Sequence, residues 1–175
     1  MSTITGFQPI ANKSAEILIL GSMPSETSLL TQQYYAHPRN AFWLIMFNLF
    51  NKPTAIDNPS YQQKKKLLLQ NNIAIWDVLQ SCERKGSLDS AIKMDSIKAN
   101  DFYTFLTLHG NIKRVCFNGA KAETVYNKHV LPDIKISFEY LQYLKLPSTS
   151  PAYAAMSIQQ KMILWAQGLS GTSLR

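Results

Sequence analysis

Cysteine is scarce: only two, Cys82 and Cys116, occur among 175 residues. They lie far apart, with no C-x-x-C and no histidine at ligand spacing, which removes zinc fingers and zinc-dependent deaminases. Both are expected as reduced thiols, and no metal site is expected. Phosphate-cradling loops are missing too, because neither G-x-x-x-x-G-K-[ST] nor G-x-G-x-x-G occurs. Kinase-like and dinucleotide-binding readings thereby lose their main support. No apolar run reaches the roughly 20 residues that span a bilayer. The longest, Ala41 to Phe50, is interrupted by Asn48, so no membrane partner is expected. The opening MSTITGFQPI has no basic stretch followed by an apolar one, so no secretory signal is read and a cytoplasmic location is the expectation. Acidic residues are few, 11 against 18 Lys and Arg, for a formal charge of +7.

That surplus favours anionic partners, nucleic acid or an anionic membrane surface. A hydrophobic fraction of 46% with 11% aromatic belongs to a packed globular protein, not a disordered one. The length suits one domain over residues 1–175, with its core at about 16–167.

Glu16 to Gly21 (EILILG) is a short apolar run ending in glycine, the pattern of a strand buried on both faces. Ile73 to Leu79, Lys113 to Asn118 and Ile134 to Leu146 resemble it. Helical patterns lie between. Ala41 to Phe50 follows Asn40, a good N-cap; Tyr61 to Gln70 carries Lys64 to Lys66 on a face expected to be solvated. Asp101 to Leu108 is closed by Gly110, and Lys121 to Tyr126 is short. A last helix is expected from about Pro151 to Gln167, capped by Ser150 and ended by Gly168. Alternating strands and helices with long crossovers predict a parallel sheet with helices on both faces. Ligands of such sheets bind beyond the carboxyl ends of the strands. The loops there, GSMPSETSL, DVLQSCERKGSLDS, NGAKA and LPSTSPAYA, are the first place to look for a shared site.

GSMPS at Gly21 to Ser25, YYAHPRNAFW at Tyr34 to Trp43, WDVLQSCERKGSLDS at Trp76 to Ser90, CFNGAKA at Cys116 to Ala122 and LPSTSPA at Leu146 to Ala152 appear in this order. Together they resemble the hypoxanthine-DNA glycosylase branch of the uracil-DNA glycosylase superfamily, over about Glu16 to Trp165. The resemblance implies a three-layer α/β/α sandwich around a central four-stranded parallel sheet, acting as a monomer. It also implies excision of a deaminated base from DNA, leaving an abasic site, without metal or cofactor. The partner it implies is DNA containing hypoxanthine, with uracil as a second substrate.

Such a reaction needs a flipped base stacked on a ring and held by polar groups. It also needs donors for the leaving base and a water oriented toward the sugar. By resemblance to the mismatch-specific uracil glycosylases Tyr35 is the stacking ring; the alternative is that Tyr34 and Tyr35 simply pack on the helix from Ala41. Several branches position the water with an Asp or Asn in the first motif, where this chain has Met23, so the resemblance points to Asn40 as the catalytic polar residue. The N-cap role of Asn40 competes with that assignment without excluding it. Leu146 stands where other branches place a histidine, so base stabilisation is assigned to backbone N–H groups around Gly21, Ser22 and Met23. Asn118 is a candidate for reading the base edge or for forming a turn before Gly119. Ser87 and Asp89 either reach the pocket or cap a helix, and the cap is the expectation. Pro147, Ser148, Thr149, Ser150 and Pro151 resemble a loop that enters the minor groove and grips phosphates. His37 is expected to be structural, and His109 and His129 carry no motif. Two other classes remain: a non-catalytic damaged-DNA or nucleotide-binding protein, and a serine hydrolase using Ser22 or Ser25, the latter without a G-x-S-x-G elbow.

Overall fold

The computed structural model describes residues 3–50 and 58–170. Its elements run β1 (Thr3–Thr5), β2 (Ile17–Gly21), α1 (Glu26–Thr31), α2 (Phe42–Phe50), α3 (Tyr61–Gln70), β3 (Ile73–Asp77), β4 (Leu79–Glu83), β5 (Lys98–Ala99), α4 (Phe102–Leu108), β6 (Arg114–Asn118), α5 (Ala120–His129), α6 (Leu131–Ile134), β7 (Gln142–Leu146) and α7 (Ile158–Leu169). Four strands pair in the order β3-β2-β6-β7, all parallel, and the inner ones are the apolar runs read from sequence. Every residue of β3 is buried, as are Leu18 to Gly21 of β2, because helices cover both faces.

On one face α2 crosses α7 through an edge-to-face contact of Phe42 with Trp165, whose centroids are 5.9 Å apart. On the other, Trp76 of β3 packs on Phe102 and Phe105 of α4, and Phe117 of β6 on Tyr126 of α5. The α/β fold with its four-stranded parallel sheet is therefore the one expected. Cys82 and Cys116 are both buried and free.

The short helices α1 and α6 were not expected, and three further elements depart from expectation. The strand begun at Ile73 leaves the sheet after Asp77: Val78 N bonds Gly21 O and Leu79 N bonds Ser22 O, turning the chain into β4. There it joins a second, antiparallel sheet, β1-β4-β5, that the sequence reading had placed in a loop. Its partner, Thr3–Thr5, is remote in sequence, and five residues alternating imperfectly give little periodic signal. The alternation from Ile134 was misleading: only Gln142–Leu146 is strand, and Ile136, 84% exposed, belongs to a turn on the surface. Finally, α7 starts at Ile158, not Pro151, and its N-cap is Ser157 in a capping box with Gln160. Gly168 does not end it but lies inside, buried against Leu144 and Leu146. Ser150 and Pro151 consequently sit in an irregular loop, so no helix N-terminus is available there for phosphate.

Candidate active site

Gly21, Asp77, Asn118 and Leu146 are the carboxyl-terminal residues of the parallel strands, and the register sets Gly21 beside Asp77 and Asn118 beside Leu146. Above these ends opens a pocket of about 290 Å³. The predicted residues Gly21, Ser22, Met23, Tyr35, Asn40 and Asn118 all line it, as do Ser148, Thr149 and Ser150. Pro147 and Pro151 do not; Pro147 instead offers its carbonyl to Trp165 Nε1 at 2.9 Å.

The first wall is the turn after β2. A Cβ on Gly21 would collide with Asp77 Oδ1, so only glycine lets the two strand ends meet. Ser22 Oγ donates to Asp89 Oδ1 at 2.6 Å, and Ser87 Oγ accepts from Glu26 N at the start of α1. Buried Arg84 donates from Nε to Gly86 O at 2.8 Å and from Nη2 to Pro24 O, clamping the two loops together. Ser87 thus accepts from the first N–H of α1 and lines the pocket as well, while Asp89 caps nothing with its side chain: its carboxylate is in the pocket, bonded to Ser22. Burial raises the pKa of Asp89, opposed by the Ser22 hydrogen bond and by Arg84. Ser25 caps α1 and Ser22 is held by an acid, with no histidine lining the pocket among the described residues, so the serine hydrolase loses its base.

The second wall is the segment from Tyr34 to Asn40. Tyr34 is buried, with its hydroxyl on the carbonyls of Phe7 and Gln8. Tyr35 adopts φ +54, a strained conformation for a bulky residue, and stacks on Phe42 at 4.0 Å between centroids. α2 begins one residue later than expected, so Ala41, whose carbonyl accepts from Ile45 N, holds the N-cap position, and Asn40 precedes it: its Oδ1 accepts from Phe42 N at 3.0 Å in a turn leading into α2, while the residue lines the pocket. His37 Nδ1 accepts from Arg39 N in a local turn.

The third wall is the loop after β7. Asn118 forms no turn with its side chain: Nδ2 donates to Thr149 Oγ1 at 2.9 Å and Oδ1 accepts from Thr149 N at 2.8 Å. Thr149 O in turn accepts from Ala41 N, so a chain of hydrogen bonds ties β6 through the loop to the segment bearing Asn40. Thr149 is only 1% exposed, which removes it from direct contact with a phosphate and makes it a support. Gly119, at φ +95, lets this loop approach, since a Cβ there would lie 2.9 Å from Ser148 Cβ.

Sequence reading missed Asp77. Its carboxyl is 4% exposed on the pocket floor, and Oδ2 lacks a hydrogen-bond partner. Burial, then the Asp89 charge, pushes its pKa up to about 7 against the pull of Arg84. The available signal was a lone acid ending an apolar strand, at the very place where such sheets bind ligands. A second cavity of about 280 Å³ shares Tyr35 and Asn40 with the first. Lys64 lines it, 5.7 Å over the Trp43 ring and with its pKa lowered by burial, so this lysine is not simply solvated.

Residues 8–166 match the family model of the uracil DNA glycosylase superfamily. The chain belongs to that superfamily. Within it, a hypoxanthine DNA glycosylase of Methanosarcina barkeri (strain Fusaro) is 32% identical over 170 residues, covering 97% of this chain and 90% of the relative. A hypoxanthine DNA glycosylase of Methanosarcina acetivorans is 38% identical over 117 residues, 67% of this chain and 72% of its own. A solution structure from the same species, described as a candidate uracil DNA glycosylase, superposes with a TM-score of 0.74 at 31% identity, covering 97% of this chain and 99% of that one. The family matches the one that the sequence motifs resemble.

Proposed function

We propose that this member of the superfamily is a monofunctional DNA glycosylase that hydrolyses the N-glycosidic bond of hypoxanthine in DNA, with uracil as a second substrate. The observation that carries this reading is the pocket at the strand ends, which combines a stacked tyrosine, an asparagine and a buried carboxyl oxygen without a partner. The relatives named above act on hypoxanthine, and the pocket chemistry fits a flipped base.

In this reading Tyr35, supported from behind by Phe42, stacks on the flipped base. Asn40 orients the attacking water. An amide carbonyl has two lone pairs, and the Phe42 N–H uses one, so Oδ1 keeps the other to accept from water. Thr149 and Asn118 hold that segment in place, and Ser148 and Ser150 form the rim toward the DNA backbone. The C1′–N bond breaks with its electron pair on the base; water oxygen bonds C1′, and the water's proton ends on the departing base.

Oligonucleotides carrying inosine, uracil or xanthine, incubated with the protein and then cleaved with alkali, test the proposal. Strand breaks that require alkali and are indifferent to EDTA are expected, with inosine the best substrate. Breaks without alkali, or an adduct trapped by borohydride, would show a lyase. Tight lesion binding without any base release would favour the non-catalytic reading.

A further inference from the structure

We propose that Asp77 acts as a neutral carboxylic acid whose O–H donates a hydrogen bond to the carbonyl oxygen of the deaminated base, stabilising that base as it leaves. The inference rests on the glycosylase reading and adds a catalytic residue to it.

Four observations converge on this carboxyl. It ends β3 on the floor of the pocket, beside Gly21, whose missing side chain is what leaves it room. It is almost wholly buried, and Oδ2 has no partner, an arrangement that is costly unless a ligand completes it. The Tyr35 hydroxyl, also buried, interacts with the Asn118 side chain and lies 3.4 Å from the point a Gly21 Cβ would occupy, next to Asp77 Oδ1. The open carboxyl oxygen on the pocket floor marks where an edge of the base is to be read. Deamination replaces an exocyclic amino group, a donor, with a carbonyl oxygen that has two lone pairs. The Asp77 O–H suits that oxygen, whereas the amino group of the undamaged base offers it no comparable acceptor.

The protonation state follows from the surroundings. Asp89, in the loop after β4, disfavours a second negative charge, and burial outweighs the opposing effect of Arg84 at the end of that strand. The other titratable groups coupled to Asp77 are the phenols of Tyr34 and Tyr35 on the second wall and of Tyr61 opening α3, all with raised pKa values. No histidine lines this pocket among the described residues, and a neutral Asp77 would be a donor of the kind used where carboxyls are kept protonated in apolar sites. When the C1′–N bond breaks, negative charge spreads onto the carbonyl oxygen; Asp77 shares its proton there without losing it, and the water's proton completes the free base.

The test is single-turnover release of base from inosine and uracil oligonucleotides between pH 5.5 and 9. Wild type is expected to lose rate above about pH 7, approaching tenfold per pH unit once the acid is ionised. Asp77→Asn keeps a donor at every pH and should lose that fall, staying active but slower at low pH. Asp77→Ala should be about 100-fold or more slower at low pH. Carbon NMR of the Asp77 carboxyl in the free protein reads its protonation directly and does not depend on a variant folding. A rate that stays flat or rises through pH 7 to 9 overturns the proposal, as does an Asp77→Asn profile falling like wild type or a carboxyl already ionised at pH 5.5. Absence of base release by wild type at every pH would instead sink the glycosylase reading and take this proposal with it.

Discussion

Asn40 holds Phe42 N in the turn leading into α2 with the same carbonyl oxygen that is assigned to water, so its two roles separate only by substitution. Asn40→Ala should slow single-turnover excision by about 100-fold or more and lower stability by about 1 kcal/mol. Asn40→Asp restores the turn bond but brings a charge beside the developing sugar cation, so a stable protein with an altered rate is expected. Excision unchanged in both variants would reduce Asn40 to a turn residue. Asp77 makes a separate prediction about stability. Its carboxyl titrates at about 7 when folded, against 3.8 for an ordinary aspartate. The folded state therefore binds the proton more tightly, and stability is full below about pH 4 and lost as pH rises through 7. Thermal unfolding of Asp77→Asn and wild type should show the variant gaining on wild type between about pH 4 and 7 and holding level above that. A constant difference across that range would mean that the folded carboxyl titrates normally.

At the scale of elements, the loop from Pro147 to Ser157 matters more than any single helix, because Thr149 links Asn118 to the Asn40 segment. Thr149→Val removes the Asn118 bond to Oγ1 and should cost about 1 kcal/mol of stability while slowing excision several-fold by loosening Asn40. Ser157→Ala should cost a similar amount by uncapping α7 yet leave excision alone. Equal kinetic losses, or none, would dissolve the distinction between support and cap. This loop also shows what the sequence could and could not disclose. The inner strands were legible because a helix layer on each face demands unbroken apolar runs, and α3 because its period is clear and Ser60 caps it. The start of α7 was not, since Ser150-Pro151 and the Ser157 capping box satisfy the same local rules and only packing of Trp165 under the loop chooses between them. β4 was hidden because its partners are remote in sequence. In the pocket, the residues carried by motif resemblance do converge, whereas Asp77 stayed invisible: nothing local distinguishes an acid that ends a strand at the surface from one buried against glycine.

For the molecule as a whole, the charge of +7 predicts binding to duplex DNA that weakens steeply with salt, but the 18 basic side chains are not equivalent. Arg84 and Lys161 are buried and donate to backbone carbonyls, with Arg84 Nη1 buried and unpartnered, while Lys93 and Lys145 pair with Glu83 and Glu123. None of these four is free for a phosphate. Lys64 differs: it borders the second cavity, which shares Tyr35 and Asn40 with the base pocket, so a strand whose lesion is seated there must pass close by. Lys66, on the same helix, is exposed and lines neither cavity. If the strand follows the shared wall, Lys64→Gln should reduce the slope of log affinity against log salt by about 1. Lys66→Gln should leave the slope unchanged. Anisotropy titrations of a lesion duplex over a range of salt concentrations measure both slopes. Equal slopes for the two variants would show that the DNA does not run along the second cavity, and a wild-type affinity indifferent to salt would remove the electrostatic footing for a DNA substrate altogether.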